Sequence, residues 1–244
     1  MSLLRRILPY SLLLSLVLAA SSAQAQQFSL DLGASSSTTR IVQLLVLTTV
    51  LSVAPAIIMM VTSFTRIVVV LGFLRQALGT QQTPPNMVMI SLAMFLTAFV
   101  MAPTFEESWN QGIQPYMDGH LDEFEAFEKA VKPVHGFMMK HVRPRDLTLL
   151  MDLSKAKQVE NPEDIPLKAL VPAFMISELR RAFEMGFLIF LPFIIIDMVV
   201  GSILMSMGMM MIPPAMISLP FKLIFFVLVD GWYMVVGSLV QSFN

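Results

Sequence analysis

The sequence predicts an all-α protein of the integral-membrane type. About four hydrophobic helices, arranged as kinked hairpins, should carry a small helical domain outside the cytoplasm. Three observations predict this. The 244 residues are 56% hydrophobic, with a mean hydropathy of +0.73. Only 14% are charged, well below the roughly 25% of an average soluble domain. Four apolar stretches stand out, and a polar block between the second and third holds most of the carboxylates. The net charge of -1 offers no electrostatic case for binding nucleic acid. With no cysteine in the chain, disulfides, thiolate zinc sites and thiol catalysis are excluded.

Residues 1–25 read as a secretory signal peptide. Arg5 and Arg6 precede a short apolar core, and Ala23-Gln24-Ala25 is an A-x-A site, so cleavage is expected after Ala25. Residues 26–40, rich in Ser, Gly and Thr, form a linker. Residues 41–102 then make a first hydrophobic hairpin. Its first span, 41–64, is long enough to cross about 30 Å of hydrocarbon, and Pro55 should kink it or divide it into two short helices. The connection 65–86 carries Arg66 and Arg75 and no acidic residue, which places it in the cytoplasm by the positive-inside rule. Gly79 is a C-cap candidate. The second span, 87–102, is short and should end at Pro103.

Residues 103–182 are expected to form a polar helical domain on the periplasmic side. Leu121, Phe124, Phe127 and Val131 fall on one helical face, as do Leu147, Leu150 and Met151 on a second helix. All three histidines lie here: His120, His135 and His141. No pair has i, i+4 spacing, so no metal site is expected.

Residues 183–244 make the second hairpin. Glu178 and Arg181 on its approach stand at i, i+3, and Arg180 and Glu184 at i, i+4. They fit either an interfacial turn with snorkelling arginines or a set of charges fixing register between chains. The third span, 183–207, contains Pro192 and the carboxylate Asp197. An ionised carboxylate is costly in lipid. Asp197 can therefore pair with a cation on a neighbouring helix, for which Lys222 is the candidate, pack as a neutral acid, or relay protons. Met209, Met210 and Met211 are consecutive, and Pro213 and Pro214 close the turn after them. The fourth span, 221–239, places Asp230 in mid-helix, so this helix should face protein as well as lipid.

No P-loop, G-x-G-x-x-G, G-x-S-x-G or H-E-x-x-H motif occurs. No ATPase, hydrolase or cofactor chemistry is expected.

Three long blocks resemble the FliP family of flagellar type III export-gate proteins, whose injectisome relatives are called SctR. They are TSFTRIVVVLGFLRQALGTQQTPPN at 62–86, LVPAFMISELRRAFEMGFLIFLPFIIIDMVVGSILMSMGMMMIPP at 170–214 and LPFKLIFFVLVDGW at 219–232. The signal-like N-terminus favours the flagellar branch. The resemblance implies a non-enzymatic subunit in the bacterial inner membrane at the flagellar basal body. It implies about five copies of the chain in a helical, closed gate. FliQ-like and FliR-like subunits and other export-gate membrane proteins would join them, with membrane lipid around the gate and unfolded export substrates passing through it. It implies a pore gasket at Met209, Met210 and Met211, and helices partly lifted out of the bilayer. Energy would come from an associated ATPase complex and the proton motive force.

A reading from another class is a proton- or ion-coupled transporter with Asp197 and Asp230 as relay carboxylates. Transporters of this kind often carry inverted repeats, and no convincing internal repeat is visible here.

Overall fold

The computed structural model describes residues 37–80, 82–154, 161–209 and 211–243, and every structural statement below concerns these. The signal-peptide reading, with Ala23 and Ala25, falls outside them, as does Met210. Every element assigned among the described residues is helical. Residues up to Ser52 form one unit and residues from Val53 a second, and helix α1, Ser37–Val61, begins in the first.

Helix α1 is apolar on all sides. Ile41, Leu45 and Leu51 are exposed, which suits a helix solvated by hydrocarbon. Its hydroxyls are satisfied internally: Thr48, Thr49 and Ser52 each donate to the carbonyl four residues back, at 2.7 to 2.8 Å. Pro55 lies inside the helix without ending it.

Residues Thr62 and Ser63 separate α1 from α2, Phe64–Leu78. The first part of the expected connection is therefore a helix in its own right, and it supplies the core of the second unit. Ile67, Val70, Leu71 and Leu74 repeat at helical spacing and are fully buried. Gly79 closes α2 in the left-handed conformation, φ 77°, where a side chain would be strained.

Helix α3, Asn86–Ser108, runs through Pro103, so the expected end at that proline is corrected. Pro103 removes one backbone donor, but Met101 beside it is fully buried and packing holds the helix together. A π-helical turn, Trp109–Ile113, and the short α4, Gln114–Met117, continue it. In the π turn, Gly112 meets α5, Glu123–His141. A Cβ there would lie 2.6 Å from the Ala126 carbonyl oxygen. Asp122 caps α5 by accepting from Glu125 N–H at 2.7 Å. The apolar face expected on α5 is only partly buried: Phe124 and Phe127 are exposed, while Ala126 and Met138 are the residues that pack inward. Helix α6, Pro144–Leu153, follows.

Helix α7, Leu167–Ser206, has 40 residues without a break. At 1.5 Å per residue it is about 60 Å long, roughly twice the hydrocarbon thickness. It starts well before the expected third span, and Pro172 and Pro192 lie inside it. The fourth expected span is corrected to two helices, α8, Pro214–Leu228, and α9, Gly231–Gln241, bent by 64°. By length and composition three described helices are apolar enough to cross a membrane, or four if α8 and α9 count as one broken span.

The core has three parts. Ile67, Val70 and Leu71 of α2 pack with Ala93 and Leu96 of α3, Ala182 of α7 and Leu239 of α9. Leu74, Ala77 and Leu78 pack with Phe193 and Phe226. Met138 and Val142 meet Leu170, Ala173 and Phe174 where the polar block joins α7.

Candidate functional site

The unusual residues of this protein are charges inside an apolar bundle. The deepest pair is Arg66 of α2 with Glu178 of α7. Their side chains are 1% and 0% exposed. Arg66 Nε donates to Glu178 Oε2 at 2.8 Å, and Nη2 donates to Oε1. This two-point fork is the geometry in which a guanidinium binds a carboxylate best. Nη1 donates to the Ser242 carbonyl at 2.9 Å and to Ser242 Oγ at 2.8 Å. The Phe243 ring covers the guanidinium, with Cζ 3.7 Å from its centroid. Glu178 is thus joined to Arg66 rather than to Arg181, its neighbour on α7. Thr65, the residue before Arg66, donates to the Met59 carbonyl at 3.3 Å.

His141, at the end of α5, meets the same C-terminal residues. Nδ1 lies 2.8 Å from the Phe137 carbonyl and Nε2 lies 3.2 Å from the Phe243 carbonyl. A neutral ring donates to one of these and a charged ring to both. Burial outweighs those contacts and pushes the imidazole below its ordinary value. Nearby, Ser177 donates to Asp146 Oδ2 at 2.8 Å and accepts from Arg143 N–H at 3.0 Å, which ties α6 to α7.

The second internal pair joins α7, α8 and α2. Lys222 Nζ lies 2.7 Å from Asp197 Oδ2 and donates to the Ala77 carbonyl at 3.2 Å. Ser218, one turn before Lys222, donates to Asp197 Oδ1 at 2.5 Å. Lys222 is 7% exposed and Asp197 38%. Both carboxylate oxygens therefore accept a hydrogen bond.

The other charges lie outward. Arg180 and Glu184 form an exposed i, i+4 pair at 2.8 Å, which adds little to stability. Arg181 makes no hydrogen bond or ion pair among the described residues. Among the described residues Arg75 donates to two neutral groups, Pro84 O at 3.3 Å and Asn86 Oδ1 at 2.5 Å. Asp230 stands at the break between α8 and α9, with φ 51° and ψ 52°, and not in mid-helix.

The methionine turn lies between α7 and α8. Gly208 has φ 72°, and Met209 N–H closes the helix end on the Leu204 carbonyl at 3.0 Å. Pro213 and Pro214 begin the next helix. Met211 is 97% exposed and Met209 half-buried.

A cleft of about 1040 Å³ opens between α3 and α5, lined by Phe99, Pro103, Lys132, His135, Glu163 and Phe243 among others. Its Lys132 and Glu163 pair with each other at 2.7 Å. No group of His, Asp and Glu that could hold a metal occurs among the described residues.

The sequence reading weighed His141 only as a metal ligand, and it missed Ser242, Phe243, Ser177 and Asp146. None carries a local signal, because each works through residues far away in the chain.

Together these features define a class: a helical, membrane-type protein whose internal charges join helices to one another. The chain belongs to the FliP family, which it matches over residues 47–239. It is similar to the flagellar biosynthetic protein FliP of Caulobacter vibrioides, 63% identical over 207 residues, or 85% of this chain and 78% of that protein. The Bacillus subtilis protein of the same name is 58% identical over 202 residues, 83% of this chain and 91% of its own. That of Aquifex aeolicus is 48% identical over 205 residues, 83% and 86% respectively.

Proposed function

We propose that this chain is a non-enzymatic structural and gating subunit of the flagellar type III protein export channel. Several copies, with FliQ-like and FliR-like subunits, would line a path for unfolded flagellar proteins across the inner membrane. The residues of the polar block would lie on the periplasmic side. Family membership supports the export role. The observation that carries the gating role is the turn at Gly208–Pro213, where Met211 is 97% exposed.

A side chain so fully exposed contributes nothing to packing its own chain. Thioethers are flexible and apolar, so a ring of such turns from several copies makes a plug that excludes water and ions. An unfolded segment then displaces it by rotamer changes alone. The long α7 supports a gate raised above the bilayer, since about 60 Å of helix exceeds what hydrocarbon covers.

The test replaces Met209, Met210 and Met211 together with Ala. Assembly with partner subunits should be unchanged, and membranes carrying the variant should leak small ions. Unchanged conductance in an assembled variant would remove the plug from this reading.

A further inference from the structure

We infer that Ser218 and Lys222 are positioning residues: with Asp197 they fix the register of α8 against α7, and so the place at which the methionine turn projects. The inference deepens the plug reading above and rests on it for its functional meaning.

The buried residues of α8 are Ser218, Lys222 and Phe226. They stand four apart, on one face of the helix. Two of the three are polar, whereas Phe221, Ile224, Val227 and Leu228 are exposed. The helix therefore meets the bundle through a largely polar seam and turns apolar residues away from it.

The polar groups of the seam find their partners on two other helices. Ser218 Oγ donates to Asp197 Oδ1 at 2.5 Å, and Lys222 Nζ donates to Asp197 Oδ2 at 2.7 Å. Nζ also donates to the Ala77 carbonyl at 3.2 Å, near the end of α2, which ties the seam to the core. One turn nearer the methionines, Gly201 of α7 is buried against Pro214 of α8, and a Cβ there would lie 3.8 Å from the proline ring. Asp197 with Ser218, and Gly201 with Pro214, belong to one antiparallel register: each arm advances by one helical turn between the two contacts. Beyond them the methionines turn outward, with Met205 and Met207 each 62% exposed and Met211 97%.

Apolar helix faces trade one contact for another when they slide. A polar seam does not. A slip of one turn, about 5.4 Å, takes Lys222 away from Asp197 and leaves both charges without a partner beside apolar residues. A polar residue in an apolar helix seam sets register in this way, at some cost in stability. The methionine turn continues both arms, so the register that the seam selects also sets where its side chains stand.

The test makes the seam apolar, with Asp197→Leu, Ser218→Ala and Lys222→Met in one chain. Co-expressed with its partner subunits, this variant should still assemble, because no charge is left unpaired. The chain has no cysteine, so Gln76→Cys on α2 and Met211→Cys in the turn supply the only thiols for spin labels. Labelled copies are diluted with unlabelled ones, so that the distance measured lies within one chain. With the seam intact the distance should be single and narrow. With the apolar seam it should shift by about 5.4 Å or spread across that range, and Ser218→Ala alone should widen it in part. Membranes carrying the unlabelled apolar-seam chain should leak small ions at least about threefold faster.

A narrow, unshifted distance in the apolar-seam variant would overturn the inference and leave the plug reading standing. Loss of assembly would overturn it too, by making the seam a source of stability and not of register. A shifted turn with no added leak would uphold the register and remove the plug.

Discussion

Arg66 and Glu178 stand 112 positions apart in sequence and share a two-point ion pair with almost no exposure to solvent. The pair locks the central helix α2 to the long helix α7. Ser242 and Phe243 complete its shell, so the C-terminal residues are part of the same joint.

Glu178→Gln leaves the guanidinium buried against a neutral group. The expected cost is about 3–5 kcal/mol, read as a lower melting temperature of the detergent-extracted complex. Arg66→Met with Glu178→Leu should cost less than either single change, because it leaves no unpaired charge behind. A double variant as unstable as the singles would show that Arg66 matters mainly through Ser242 and Phe243.

Asp197→Asn separates the pairing role from a proton relay. With Lys222 left beside a neutral amide, assembly should weaken by about 1–2 kcal/mol. That figure is kept low because Asp197 is 38% exposed and partly screened. Export per assembled complex should stay near wild type. Intact assembly with abolished export would favour the relay.

His141 gives a pH dependence with a definite sign. Its folded ring is held below the ordinary value of about 6.5 by burial, so the unfolded chain binds more protons in that range. Stability is therefore full above that value and falls as the pH drops through it. The fall levels off once the folded ring is protonated too. Thermal melts between pH 8 and 5 should show this slope, and His141→Gln should flatten it.

Gly112→Ala and Gly186→Ala differ in what gives way. At Gly112 the new Cβ meets the backbone of α5 at 2.6 Å, and at Gly186 it meets the Phe73 ring at 2.3 Å. A ring on a partly exposed side chain can rotate aside and a helix backbone cannot. Overpacking costs about 1–3 kcal/mol. Gly112→Ala should fall at the upper end and Gly186→Ala at the lower, measured by melting temperature.

Composition and local pattern determine that this chain is helical and of the membrane type, and they mark its polar block, its charged positions and its methionine turn. These are properties of short windows: apolar runs must bury or meet lipid, and prolines and glycines act on the bonds beside them. Tertiary structure decides the rest. Pro103 does not end α3, because the burial of Met101 holds the helix across it. The chain breaks instead at Asp230, where the backbone takes the left-handed conformation between α8 and α9. Glu178 takes Arg66 over the nearer Arg181, because α2 runs through the centre of the bundle and brings a guanidinium to it. A charge's partner depends on which helices touch, and that is a contact between residues a hundred or more positions apart.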